Sequence, residues 1–148
     1  MKEKVVLIPN LNYIAKTDSI SFNDVAIMLH TSGITSSQKR VMLSHKNLIS
    51  NVESNIASLR LSSEGKVLLA LPMYLGYCNT AQFLSHIYVG APMVIHNRIF
   101  IPKLFWRIVK EKITNFIDVP TMLLMILEYR YCDSYDISSL KFVLVVGR

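Results

Sequence analysis

A chain of 148 residues with 51% hydrophobic and 18% charged positions has enough apolar mass for one buried core, which excludes a disordered polypeptide. Its net charge of +6 comes from sixteen Lys and Arg against ten Asp and Glu. These cations are scattered, with no run longer than Lys39-Arg40, and no nucleic-acid-binding signature accompanies them, so a solvated basic surface with no nucleic-acid partner is expected. Cys78 and Cys132 stand alone, without CxxC or Cys/His ligand spacing, which excludes a zinc site and a disulfide framework and suits a reducing cytoplasm.

Residues 1–23 lack periodicity and read as an irregular lead-in. Val5-Val6-Leu7-Ile8 is too short for a signal-peptide core, because Pro9-Asn10 ends it. Val25–Leu29 is the next apolar run and is expected to be a buried strand. It feeds Thr31-Ser32-Gly33-Ile34-Thr35-Ser36-Ser37-Gln38-Lys39, a hydroxyl-rich segment with one glycine and a terminal cation, before the apolar Val41-Met42-Leu43. Such a segment can offer backbone N–H groups, hydroxyls and one ammonium to an anion, which suits a phosphate chain. It is expected to be a solvent-accessible loop with the Lys39 ammonium exposed. It is not the loop of a kinase-like or NTPase-like P-loop protein, since Gly33 stands alone before Lys39.

Ser44 is suited to cap a helix beginning at His45, with Leu48, Val52, Ile56 and Leu59 along its apolar face. Val67–Leu71 reads as a strand buried on both faces, and a helix is expected from about Thr80 to Tyr88. The alternation continues with a strand at Met93–His96 and a helix led by Pro102, whose apolar face is Leu104, Phe105, Ile108 and Val109. A short strand at Asn115–Asp118 precedes a helix led by Pro120, with Met122, Leu123, Ile126 and Leu127 inward. Phe142–Val146 is the last strand. This pattern predicts an α/β fold, a largely parallel sheet of about five strands with flanking helices, in one structural unit. The longest late apolar stretch, Val119–Leu127, is about half of a membrane span, so no span is expected.

Several of these segments resemble motifs of the adenylate-forming (AMP-binding) superfamily, which includes acyl-CoA synthetases and fatty-acyl-AMP ligases. Thr31, Ser32, Gly33, Thr35, Lys39 and Val41 match the family's T-S-G-[ST]-T-G-x-P-K-G-V. Ile34, Ser36, Gln38 and Arg40 depart from it, removing a hydroxyl, two glycines and a proline. A side chain at Ser36 or Arg40 resists the backbone turns that glycine permits, and losing the proline loosens the loop before the lysine. Met42-Leu43-Ser44-His45-Lys46-Asn47-Leu48 resembles V-M-L-T-H-x-N-L, and Leu71-Pro72-Met73-Tyr74 resembles L-P-M-[FY]-H, with Leu75 in place of the histidine. Val119-Pro120-Thr121-Met122-Leu123 is similar to V-P-T-[MVL]-[LY], and Asp136-Ile137-Ser138-Ser139-Leu140-Lys141 to D-L-S-S-L-[KR].

The resemblance covers residues 24–148, which it implies are a partial AMP-binding (adenylation) domain. It implies a ligase that activates a carboxylic or fatty acid as an acyl-adenylate, with ATP and Mg as cofactors and CoA as an acceptor. Thr31, Ser32, Gly33, Thr35 and Lys39 would be the nucleotide phosphate-binding residues. No catalytic or metal-binding residue is assigned. Segments matching the family's adenine-binding stretch, its Y-G-x-T-E and its ribose-binding aspartate do not occur in the sequence. The expectation is therefore a ligase fragment not competent alone, with binding to ATP weak or absent and a complementing ligase fragment as a partner. The alternative is a catalytically inactive, ligase-derived interaction or regulatory module.

Overall fold

The computed structural model describes residues 20–30, 40–96 and 100–147. Two strands, β1 (Val25–His30) and β2 (Arg40–Ser44), pair antiparallel as a hairpin, with Met28 opposite Met42 and His30 opposite Arg40. Helix α1 (His45–Leu59) follows directly from β2. The Ser44 hydroxyl accepts from the Asn47 backbone N–H at 3.2 Å, while the Asn47 carboxamide oxygen accepts from the Ser44 N–H at 3.1 Å. This reciprocal pair satisfies amides that the first helical turn otherwise leaves bare.

The remaining strands, β3 (Val67–Leu69), β4 (Met93–Ile95), β5 (Asn115–Asp118) and β6 (Phe142–Val145), form one parallel sheet in the order β4-β3-β5-β6. Between β3 and β4 the chain makes a π-helix, Tyr77–Leu84, that runs on into the short α2 (Ser85–Tyr88). Helix α3 (Ile101–Glu111) links β4 to β5, and α4 (Pro120–Leu127) links β5 to β6. Both α3 and α4 carry proline in the first turn, where its missing N–H costs nothing.

Alternation along the strands divides the core in two. Leu68, Ala70 and Phe116 point to the side of α3, where they meet Leu104, Phe105 and Ile108. Their neighbours Leu71 and Ile117 belong to a second cluster with Cys78 of the π-helix, to which Leu75, Val119 and Leu144 are packed. A period of two thus gives the sheet two apolar faces, as a parallel sheet covered on both sides requires.

At the amino end of the sheet the Thr114 N–H donates to the Lys66 carbonyl at 2.8 Å, and the Lys66 N–H donates to the Thr114 hydroxyl at 2.8 Å. The Lys141 N–H donates to the Thr114 carbonyl at 2.7 Å. One threonine therefore ties together the approaches to β3, β5 and β6.

The expected five-strand sheet is corrected in one member. Val25–Leu29 is not part of the parallel sheet but of the hairpin, and it is not buried: Val25 is 49% and Met28 59% exposed. A parallel neighbour needs a crossover of a dozen or more residues, whereas Val41-Met42-Leu43 lies close enough in the chain to fold straight back. The expected helix over Thr80–Tyr88 is mostly π-helical and starts earlier, and Leu127 of α4 is 67% exposed rather than inward.

Candidate functional site

The phosphate-loop residues Thr31, Ser32, Gly33, Thr35 and Lys39 lie outside the described residues, as does the expected exposure of Lys39. Their flanks are described. The hairpin register brings His30 opposite Arg40, so the two flanks of the segment are neighbours. Beside the hairpin, Leu29 and Leu43 form a wall of a cavity of about 360 Å³ completed by Asn47, Leu48, Asn51 and Thr80. Each of its polar residues already makes a bond: the Asn47 Oδ1 accepts from the Ser44 N–H, the Asn51 Oδ1 accepts from the Asn55 side chain at 3.0 Å, and the Thr80 hydroxyl donates to the Gly76 carbonyl at 2.8 Å. A helix amino end near a phosphate loop is a natural anion site, but here the first amides of α1 are taken. The His45 N–H donates to the Asp24 carbonyl and the Lys46 N–H to the Phe22 carbonyl, at 3.2 and 2.9 Å.

The second place where ligands gather in open α/β folds is the carboxyl end of the sheet. Here Leu71-Pro72-Met73-Tyr74 leaves β3, Val119-Pro120 leaves β5, and Val146-Gly147 leaves β6. Tyr74 is 79% exposed at this rim, while Leu75, which replaces the family's histidine, packs half-buried against the cluster of Leu71, Cys78 and Ile117. Gly147 takes φ +116°, a conformation side chains resist.

Asp118, at the end of β5, is fully buried. Its Oδ1 accepts from the Val119 N–H at 2.7 Å, and its Oδ2 has no partner among the described residues. Burial pushes its pKa up to about 6, against the lowering effect of the Val119 bond. No motif in the sequence marks this residue. The only signal it offered was a carboxylate ending an otherwise apolar run.

Gln82 and His86 are buried beneath the sheet on the π-helix and α2. His86 Nδ1 lies 2.6 Å from the Gln82 carbonyl oxygen, so that nitrogen carries the proton. Burial lowers the His86 pKa, outweighing the opposite pull of the Gln82 carbonyl and of the nearby Asn115 side chain. It is a neutral core histidine.

Among the described residues no group of three or more His, Cys, Asp or Glu is placed to hold a metal ion. Asp118 is a lone carboxylate closed off from solvent. These residues do not fit a magnesium site.

Comparison with known proteins defines the class. The profile of the AMP-binding enzyme family matches residues 4–148. The chain is 32% identical over 129 residues to 4-coumarate:CoA ligase 1 of Petunia hybrida, covering 84% of this chain and 24% of that protein. It is 27% identical over 128 residues to feruloyl-CoA synthase of an Amycolatopsis species, covering 86% and 26%. Among solved structures, the o-succinylbenzoate CoA synthetase of Bacillus subtilis in complex with its acyl-adenylate intermediate superposes with a TM-score of 0.78. That match has 23% identity and covers 87% of this chain and 33% of that one. The N-terminal domain of FACL13 from Mycobacterium tuberculosis gives 0.75 at 22% identity, covering 82% and 30%. The fold is that of adenylate-forming enzymes. The chain belongs to the AMP-binding enzyme family, and the curated relatives above are acyl-CoA ligases. It spans about a quarter of their length.

Proposed function

We propose that this chain is the phosphate-loop portion of an ATP-dependent, AMP-forming acyl ligase. In the reaction a carboxylate oxygen attacks the α-phosphorus of ATP, pyrophosphate leaves with its electron pair, and an acyl-adenylate forms; CoA would then accept the acyl group. The observation that carries this reading is the hairpin. It returns the chain beside itself at His30 and Arg40, the two residues that flank the Thr31, Ser32, Gly33, Thr35 and Lys39 segment in the sequence. In this reading those residues contact the nucleotide phosphates, with the Lys39 ammonium supplying positive charge to the developing transition state. Magnesium and the base-binding and ribose-binding partners would come from a complementing ligase segment, and the acyl substrate would be a carboxylic or fatty acid. A cytoplasmic setting suits ATP and CoA.

In this reading the chain is not competent alone. The amides of α1 are occupied, and the described residues hold no metal-binding group. These same two observations favour a second reading, a ligase-derived module that binds a partner without chemistry.

ATP–pyrophosphate exchange with a panel of carboxylic acids tests the proposal. The chain alone should give no exchange above that of Lys39→Ala, and calorimetry should find ATP affinity no tighter than about millimolar, near 4 kcal/mol. Adding the remainder of a homologous ligase should restore exchange that Lys39→Ala abolishes. Exchange by the chain alone would overturn the incomplete-site reading, and failure of complementation would favour the inactive module.

A further inference from the structure

Helix α3 buries Ile101, Leu104, Phe105 and Ile108 against the sheet. The opposite stripe, spaced at helical intervals, is Lys103, Trp106 and Lys110, all exposed. Trp106 is the only tryptophan of the chain and leaves 46% of its surface in water. The Lys110 ammonium sits 4.4 Å from its ring centroid, and the Arg107 guanidinium 5.6 Å away. The one acid of the helix, Glu111, pairs with Arg107 at 3.6 Å. Among the described residues no acid pairs with Lys103 or Lys110.

An exposed indole flanked by two unneutralised ammoniums on flexible stems combines two needs in one surface. The indole seeks a half-apolar layer, and the ammoniums seek anions at the same depth. The headgroup region of an anionic bilayer meets both: tryptophan favours that level, and lysine stems lie along the apolar boundary while their charges reach the headgroups. A nucleic acid meets them less well, because its affinity grows with the number of phosphates contacted, and this stripe offers two lysines rather than a track.

We propose that the outward face of α3 is a peripheral docking surface for an anionic lipid bilayer. The stacks of Phe105 on Tyr129 and Tyr135 bring the turn after α4 against this helix, and that turn carries Asp133 and Asp136. The attraction of two lysines to anionic headgroups is screened by salt, so docking is reversible and sensitive to ionic strength.

The full chain carries its own reporter. Titration with phosphatidylcholine vesicles containing phosphatidylserine should shift Trp106 emission to the blue and sediment the protein, and phosphatidylcholine alone should do neither. Each of the two lysines should contribute about fivefold to partitioning, so K103E/K110E should weaken it by about 25-fold or more. Raising ionic strength should weaken the parent in the same direction. Circular dichroism confirms that the variant is folded, and K103Q/K110Q serves as a milder pair if it is not. The proposal is overturned if phosphatidylserine causes no blue shift, or if both lysine variants sediment like the parent. It is equally overturned if RNA competes the protein off the vesicles through the same two lysines.

Discussion

Asp118 is the most unusual single residue in the structure. Its carboxyl rises from the ordinary 3.8 to about 6 because the fold removes it from water, so the folded chain holds the proton more tightly than the open chain. The associated stability is complete below pH 3.8 and is lost as the pH rises through about 6. The change amounts to about 3 kcal/mol from the standard conversion of a pKa shift. Thermal melts should therefore show a falling midpoint across that window, and Asp118→Asn, which cannot ionise, should flatten it. A parent midpoint that stays level between pH 4 and 6 would show that the carboxylate finds a compensating partner.

At the scale of elements, helix ends repay attention. Arg60 closes α1 at φ 51°, ψ 46°, a left-handed conformation that costs an L-residue about 1–2 kcal/mol. Its side chain is exposed, so Arg60→Gly should stabilise the chain by about 1 kcal/mol, read as a higher urea midpoint at unchanged slope. An unchanged or lower midpoint would mean that the arginine side chain holds the turn in another way. The elements were also where sequence and structure agreed most closely. Ser44 capped α1, Pro102 and Pro120 opened their helices, and Asn115–Asp118 is β5 residue for residue. Periodicity reported burial faithfully in β5 and at Leu104, Phe105 and Ile108 of α3, but not at Val109 or at Leu127, which are exposed. It could not tell Val25–Leu29 from a sheet strand, since an apolar run carries no record of which partner it meets. Nor could it reveal the π-helix, whose wider winding leaves no distinct spacing in so short a segment. The candidate site was legible only as composition, in the Thr31–Lys39 hydroxyls and cation. The occupied amides of α1 and the closed carboxylate of Asp118 depend on contacts between distant residues.

The whole molecule divides into regions of unequal solidity. Phe116 and Ile117 lie buried at the centre of β5, which has a strand on each side, whereas Met28 and Met42 face each other across an exposed two-stranded hairpin. An isolated two-stranded unit is marginal in water. Amide hydrogen exchange should be slowest at Phe116 and Ile117, tracking global unfolding, and faster at Met28 and Met42 through local opening. Equal protection in the two regions would show that hairpin and sheet open as one body.

Thr114 acts on this whole as a surveyor's datum. The starting levels of β3, β5 and β6 are measured from its N–H, hydroxyl and carbonyl. A strand is stiff along its length, so a height set at one end is transmitted to the other. Pro72, Pro120 and Gly147, at the far rim, therefore share a common zero. If β5 moves along its axis, the three turns travel with it, and the rim keeps its shape while its position changes.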